Sequence, residues 1–374
     1  MIYENIEKRK DNIRELTNDL IIHFVNGAYV EVVGFFEASY RVVFYDNDNG
    51  NVLYSDTIKN NMWTKCLKSY FINWKVEFYE NDELVHTEIL NLKNRKVLIS
   101  INSSALGDSI AWMPYAYEFY KKHNCELYVK TFWNNLFADN YEDLTFLSAD
   151  SEIDGIYAAY EIGWFYDNNK EKDKPNTMPL QFTASRILGL EDKRIKPIIS
   201  KPNKITPKKQ VAIATNSTSG MKFWTKEGWQ GVINYLHEQG YKVINVAIEK
   251  NEFENAEQIE DNNINKTMKV ILESEFLIGL GSGASWLAWA LDKKVVMIAN
   301  FSEEWHEFTD NIIRISNKSV CNGCWNNPNF KFDRGDWNWC PVNKGTANQF
   351  ICQNSITSDM VIEQIKYLLV KPYN

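Results

Sequence analysis

Hydrophobic and polar positions change period along the chain, and the change divides it. From residue 19 to 92, apolar and polar residues alternate at period two, the pattern of half-buried strands. Ile21-Ile22-His23-Phe24 leads to a turn at Gly27, and Tyr29-Val30-Glu31-Val32-Val33 leads to Gly34. Residues 40–45 run into Asp46-Asn47-Asp48-Asn49-Gly50, which predicts a hairpin returning through Val52-Leu53-Tyr54. Residues 74–79 and 84–89 predict a second hairpin across Glu80-Asn81-Asp82-Glu83. This stretch reads as a small antiparallel β-barrel or sandwich domain of about six strands. Residues 1–18 precede it as a polar arm.

From residue 93 the pattern switches to apolar runs alternating with helical segments, which predicts parallel α/β structure. Lys96 to Asn102 is a strand, followed by the loop Ser103-Ser104-Ala105-Leu106-Gly107-Asp108 and a helix from Ser109. The stretch 191–209 carries Pro197, Pro202 and Pro207 among lysines and reads as a linker. A second strand–helix series begins at Val211. Its strands at 211–215, 242–246, 276–280 and 294–299 alternate with helices, and a helix from Ser358 closes the chain. The expected architecture is therefore α/β. Two Rossmann-like domains, 93–205 and 206–374, face a cleft, with the β domain 19–92 in front of them. Ligands of open α/β sheets bind at the carboxyl ends of strands, so the cleft is where chemistry is expected.

Three loops there carry suitable groups. Gly281-Ser282-Gly283 joins a strand to a helix, where backbone N–H groups and the helix dipole suit an anion such as a diphosphate, with Ser282 and Ser285 adding hydroxyls. Asn216-Ser217-Thr218-Ser219-Gly220-Met221-Lys222 offers hydroxyls at Ser217 and Thr218 and a lysine that can neutralise leaving phosphate charge. Asp108 opens a helix on the other domain. It is either a helix cap or a general base for an acceptor hydroxyl. Such chemistry needs no catalytic metal.

Cysteine is sparse, with six residues, yet four of them follow the spacing C-x2-C-x15-C-x11-C at Cys321, Cys324, Cys340 and Cys352. That spacing suits a tetrahedral thiolate site in a finger at 320–353, and thiolates take iron or zinc alike. Four free thiols or two disulfides are the alternatives. The net charge of −8 argues against a nucleic-acid surface. No apolar run reaches the length of a membrane span, and the charged N-terminus lacks the apolar core of a signal peptide. A cytoplasmic enzyme is expected.

At these loops the chain resembles the heptosyltransferases of glycosyltransferase family 9. Gly107-Asp108-Ser109-Ile110 with Pro114, Lys222-Phe223-Trp224 with Trp229, and Ser282-Gly283-Ala284-Ser285 carry the likeness. More narrowly, it resembles the bacterial autotransporter heptosyltransferases. The marks are Phe332-Asp333-Arg334-Gly335-Asp336-Trp337 before Cys340-Pro341, Gly345-Thr346 with Gln349-Phe350, and Cys352 before Ser355-Ile356-Thr357. The resemblance implies a GT-B fold and inverting transfer of heptose from ADP-heptose to serine hydroxyls of an autotransporter adhesin passenger. It implies Asp108 as the base. It implies Lys222 at the donor phosphate, Ser282 and Gly283 around the diphosphate and Glu307 as a lesser donor contact, and with the loop residues Ser217, Thr218, Trp224 and Ser285 these make up the expected donor site. It further implies iron at the four cysteines and a homo-oligomer, a dodecameric ring. Gly281 and Trp286 depart from the acidic residue and the histidine of many lipopolysaccharide heptosyltransferases, which favours the protein-modifying branch. Transfer to lipopolysaccharide core, or a non-catalytic metal-clamped assembly protein, are the competing readings.

Overall fold

The computed structural model describes residues 18–250, 252–260, 263–333 and 335–369. Most of the polar N-terminal arm and Arg334 lie outside the described residues. Seventeen strands and eight α-helices are described. The strands are β1 Asp19–Val25, β2 Ala28–Val33, β3 Ser39–Asp46, β4 Val52–Lys59, β5 Met62–Cys66, β6 Trp74–Glu80, β7 Glu83–Ile89, β8 Lys96–Ile101, β9 Glu126–Lys130, β10 Thr145–Leu147, β11 Ala158–Ile162, β12 Gln210–Ala214, β13 Lys242–Asn245, β14 Glu257–Gln258, β15 Phe276–Leu280, β16 Lys294–Ile298 and β17 Ile312–Ile315. The helices are α1 Leu106–His123, α2 Asn134–Phe137, α3 Leu180–Ile187, α4 Lys226–Glu238, α5 Ile264–Glu273, α6 Gly283–Ala290, α7 Ile351–Asn354 and α8 Ser358–Leu369.

The chain divides into two units. The first holds the described residues up to Ser104, with Trp112–Pro175 and Phe182–Ile195. The second holds Ala105–Ala111, Asn176–Gln181 and the described residues from Lys196 onward. The short segment carrying Asp108 thus groups with the second unit, although it directly follows β8.

In the first unit both expected hairpins form. β3 and β4 turn through Asp46–Gly50, where the Gly50 N–H donates to Asp46 O at 2.8 Å and Gly50 has φ 73°. β6 and β7 turn through Asn81 and Asp82 at φ 48° and 64°, the primed geometry that matches strand twist. Among the described residues the expected separate barrel or sandwich of six strands does not form. β3, β4, β6 and β7 make a four-stranded antiparallel sheet in the order β4-β3-β6-β7. β1, β2 and β5 instead continue the parallel sheet, giving the order β10-β9-β8-β11-β1-β2-β5. The junction is a parallel pairing of Phe24 with Ala158 and Val25 with Ala159, in which Phe24 N–H donates to Tyr157 O at 2.7 Å. Backbone hydrogen bonding explains the outcome. The edge of β11 exposes a row of donors and acceptors, and β1 satisfies them. Periodicity marks β1 as half-buried but cannot say which edge it joins.

The second unit has a six-stranded parallel sheet in the order β14-β13-β12-β15-β16-β17. Counted within the unit, that is 3-2-1-4-5-6, the doubly wound order whose direction reverses between β12 and β15. Both of these central strands are buried at every position, as expected for strands covered on both faces. Val211, Ile213, Ile278 and Leu280 meet Trp229, Val232 and Leu236 of α4 and Val361 and Ile365 of α8 in one core.

Phe24 is 1 % exposed and packs edge-on against Tyr157 across the junction. Phe24→Ala is expected to cost about 3–5 kcal/mol and to lower hydrogen-exchange protection in β1 and β11 together. Loss of protection confined to β1–β7, with β11 unchanged, would show the N-terminal strands folding on their own.

Candidate active site in the second unit

The two loops that flank the reversal of the sheet are the hydroxyl-rich one after β12 and the glycine-rich one after β15. α6 begins directly after β15, with Ser282 at its N-cap. A hydroxyl there usually closes onto the helix, but Ser282 makes no such bond, and its Oγ is buried without a partner among the described residues. The Ser217 Oγ on the neighbouring loop is buried and unpartnered in the same way. Buried hydroxyls rarely go unsatisfied, so Ser282 at the α6 N-terminus and Ser217 on the loop after the adjacent strand mark places prepared for a polar guest.

The first turn of α1 lies against the first turn of α6. A Cβ on Gly107 would stand 3.0 Å from Trp286 Cδ1 and 3.5 Å from Gly283 Cα. A Cβ on Gly283 would stand 3.0 Å from Leu106 Cβ and 3.3 Å from the Gly107 nitrogen. Glycine at both places spares the two turns contacts tighter than ordinary Cβ contacts. Asp108 sits inside the first helical turn, two residues past its start, so it is not the N-cap.

Lys222 ends a short 3-10 turn, Gly220–Lys222. Its Nζ donates to Gly281 O at 3.0 Å and lies 5.3 Å from the centre of the Phe301 ring. Burial lowers its pKa, while the charges of Glu307 and Asp108 oppose that shift. Lys222, Asp108, Glu307 and the loop 281–283 therefore form one electrostatic group.

Glu307 is buried, and a Cβ on Gly281 would be 3.0 Å from its Oε1. Its carboxylate accepts from Ser302 Oγ at 2.6 Å and from Arg314 Nη1 at 2.7 Å. Burial works against the ionised form, but Arg314 and the Ser302 bond outweigh it and hold the carboxyl at about 2. Arg314, on β17, also donates to Ser302 O at 2.7 Å. Reading the sequence missed Arg314, which looks like one more residue of a short apolar strand. His306, next to Glu307 in the chain, is buried, and burial holds it down at about 4. Trp325 Nε1 donates to His306 Nε2 at 3.1 Å, so the proton is on Nδ1, facing Met178 O at 3.2 Å.

Two expected donor contacts turn out to be committed elsewhere. Trp224 is buried in the core, with Nε1 donating to Ile356 O at 2.8 Å. Ser285 is buried, with Oγ donating to Leu280 O at 2.6 Å, which ties α6 to the end of β15. Thr218 is exposed on its loop. Lys222 reaches the loop of Ser282 and Gly283 through Gly281 O, and Ser217 lies on the loop after the adjacent strand β12.

The four cysteines are all free. Together with Met221, Phe301, Trp339 and Phe350 they line one small cavity of about 20 Å³. That is room for a single atom-sized guest. Asn343 Nδ2 donates to Cys321 Sγ at 3.3 Å. Burial, reinforced by the neighbouring thiols, pushes Cys324 up to about 12 and Cys352 up to about 11. Among the described residues, no three His, Cys, Asp or Glu side chains are drawn into a ready coordination shell. The donor set nevertheless fits a thiophilic metal: four soft ligands surround one cavity.

Residues 183–336 match the model of glycosyltransferase family 9 (heptosyltransferase). The chain is 34% identical to the autotransporter heptosyltransferase Aah of Escherichia coli, over 94% of this chain and 93% of the relative. It is 32% identical to the autotransporter heptosyltransferase BAHTCr of Citrobacter rodentium, over 92% and 88%. Among solved structures it is similar to the dodecameric iron-containing heptosyltransferase TibC of Escherichia coli in complex with ADP-D-β-D-heptose. That similarity has a TM-score of 0.85 and 30% identity over 94% of this chain and 95% of that one. The α/β, GT-B-like architecture is the one shared with TibC.

The Glu307–Arg314 pair sets part of the acid stability. Its carboxyl drops from 4.5 in the unfolded chain to about 2 when folded. The stabilisation is complete above pH 4.5 and is lost as pH falls toward 2. Glu307→Gln is expected to flatten this part of the acid limb and to cost about 3–5 kcal/mol at pH 7 by leaving Arg314 unneutralised. Denaturant midpoints measured against pH check it, and an unchanged acid limb would reject the assignment.

Proposed function

The chain belongs to the autotransporter heptosyltransferase family, and from that premise we propose that it transfers heptose from ADP-heptose to serine hydroxyls of an autotransporter adhesin. The observation that carries the reading is the convergence at the sheet reversal of the second unit. The Asp108 turn, the Lys222 ammonium and the N-terminus of α6 meet there, beside the two unpartnered hydroxyls of Ser217 and Ser282. An anionic diphosphate satisfies Lys222, the two hydroxyls and the α6 N-terminus at once, since each is a cation, a hydrogen-bond donor or a positive helix end, and it leaves the Asp108 carboxylate for the acceptor.

In the proposed reaction the acceptor oxygen forms a bond to the anomeric carbon as the bond from that carbon to the diphosphate oxygen breaks. The Asp108 carboxylate takes the hydroxyl proton. Lys222, the Ser217 and Ser282 hydroxyls and the α6 N–H groups take up the charge that develops on departing ADP. Attack from the face opposite the leaving group inverts the anomeric centre. Glu307, held by Arg314, braces the loop that carries Gly281, and its carboxylate offsets the Lys222 charge. Ser285 and Trp224 serve the frame rather than the donor.

We place iron at Cys321, Cys324, Cys340 and Cys352, supported by the shared cavity, the soft donor set and the iron-containing relative TibC. A metal bound there clamps loops that are distant in sequence and adds its binding energy to folding. Its role in this reading is structural. Assembly into a ring is supported by dodecameric TibC. A cytoplasmic setting is supported by six free cysteines. Among the described residues, no helix is long and apolar enough to cross a membrane.

Incubation with ADP-heptose and a serine-rich passenger domain is expected to add whole heptose units by intact mass. A lipopolysaccharide core acceptor consumed in place of the passenger would reject the protein-directed reading. Asp108→Ala should lower turnover by about 10²–10⁴-fold while ADP still binds, and normal transfer by that variant would sink the base assignment. Cys340→Ser should lose metal and solubility first and activity only with them. A variant that is soluble, assembled and metal-free yet inactive would overturn the structural role of the finger.

A further inference from the structure

Lys222 is held at both ends, and its backbone end is held by the cysteine finger. Gln353 follows Cys352 on α7 and is 1 % exposed. Its Nε2 donates to Lys222 O at 2.7 Å, and its Oε1 accepts from the Asn300 N–H at 3.2 Å. Asn300, also 1 % exposed, joins the surrounding loops. Its carbonyl accepts from Gly323 N–H at 2.7 Å inside the Cys321–Cys324 knuckle. Its Oδ1 accepts from Asn317 N–H at 3.1 Å, and its Nδ2 donates to Cys352 O. The next residue, Phe301, lies under the Lys222 ammonium and also lines the cysteine cavity, as does Met221, the residue before Lys222.

We propose that Gln353 is a positioning residue for the nucleotide diphosphate. It anchors the Lys222 backbone to the cysteine finger, so that the ammonium stands at Gly281 beside the helix N-terminus. The inference rests on the reading of Lys222 as a diphosphate contact. Glutamine is chemically apt because one side-chain end supplies both a donor for Lys222 O and an acceptor for Asn300 N–H. Glutamate keeps the acceptor and loses the donor. Methionine has nearly the same shape and supplies neither.

The test is a double-mutant cycle on ADP affinity, measured by calorimetry on the full chain. Metal content and thermal midpoint are recorded alongside. Gln353→Met is expected to weaken ADP binding by about five- to ten-fold, the effect of one lost hydrogen bond, with metal per chain unchanged. The variant carrying both Lys222→Met and Gln353→Met should bind ADP no more weakly than Lys222→Met alone. Additive losses, or wild-type ADP affinity in Gln353→Met, would overturn the proposal. So would a loss of ADP affinity that merely follows a loss of metal. If Gln353→Met fails to fold, Gln353→Glu carries the same cycle with the same criteria. Wild-type ADP affinity in Lys222→Met would instead refute the assignment of Lys222 itself.

Discussion

Close backbone contact between Gly107 and Gly283 is the constraint on which the rest of the site depends. It sets the first turns of α1 and α6 together and brings two positive helix ends to one place. Lys222 adds a full positive charge. A cluster of this kind repels itself unless carboxylates or a bound anion balance it. Asp108 and Glu307 are the carboxylates that offset Lys222. Glu307 is already committed, because its oxygens accept from Arg314 and Ser302, while the Ser217 and Ser282 hydroxyls have no partner among the described residues. The arrangement sets its donors and positive helix ends in place in advance, which is how electrostatic preorganisation works.

Buried polar bonds tie the loops around that cluster together. Arg314 fastens Glu307 and Ser302. Asn300 fastens the ends of β16 and β17 to the knuckle, and Gln353 carries the connection to Lys222. Each of these groups would be costly to leave unmade in a dry interior, so the network has one satisfied arrangement. The cysteine cavity lies at the back of it, walled by Met221 and Phe301, the residues immediately before and beneath Lys222. The cysteine finger, far from Lys222 in sequence, is thus its neighbour in space.

Glutamine and asparagine carry these connections because they donate and accept without a charge. A buried ion would need its own counter-ion. The Glu307–Arg314 pair shows that requirement met, with both partners nearly enclosed and bonded to Ser302 as well.

Much was legible from the sequence, because some signals are local. Alternation at period two, the turn at Asp46–Gly50 and glycines at strand ends report the backbone's own preferences, and these placed both hairpins, the α/β series and the loops of Ser217, Lys222 and Ser282. The cysteine spacing likewise brought four thiols to one cavity. What only tertiary structure decided was partnership. Strand edges are chemically alike, so the joining of β1 to β11 was settled by which edge lay open. Trp224 and Ser285 sit in the expected motifs, yet their polar atoms bond Ile356 and Leu280, because a buried donor takes the nearest acceptor whatever its motif. Arg314 and Gln353 left no mark in the sequence, since a salt bridge or an amide bond between distant segments has no period to read.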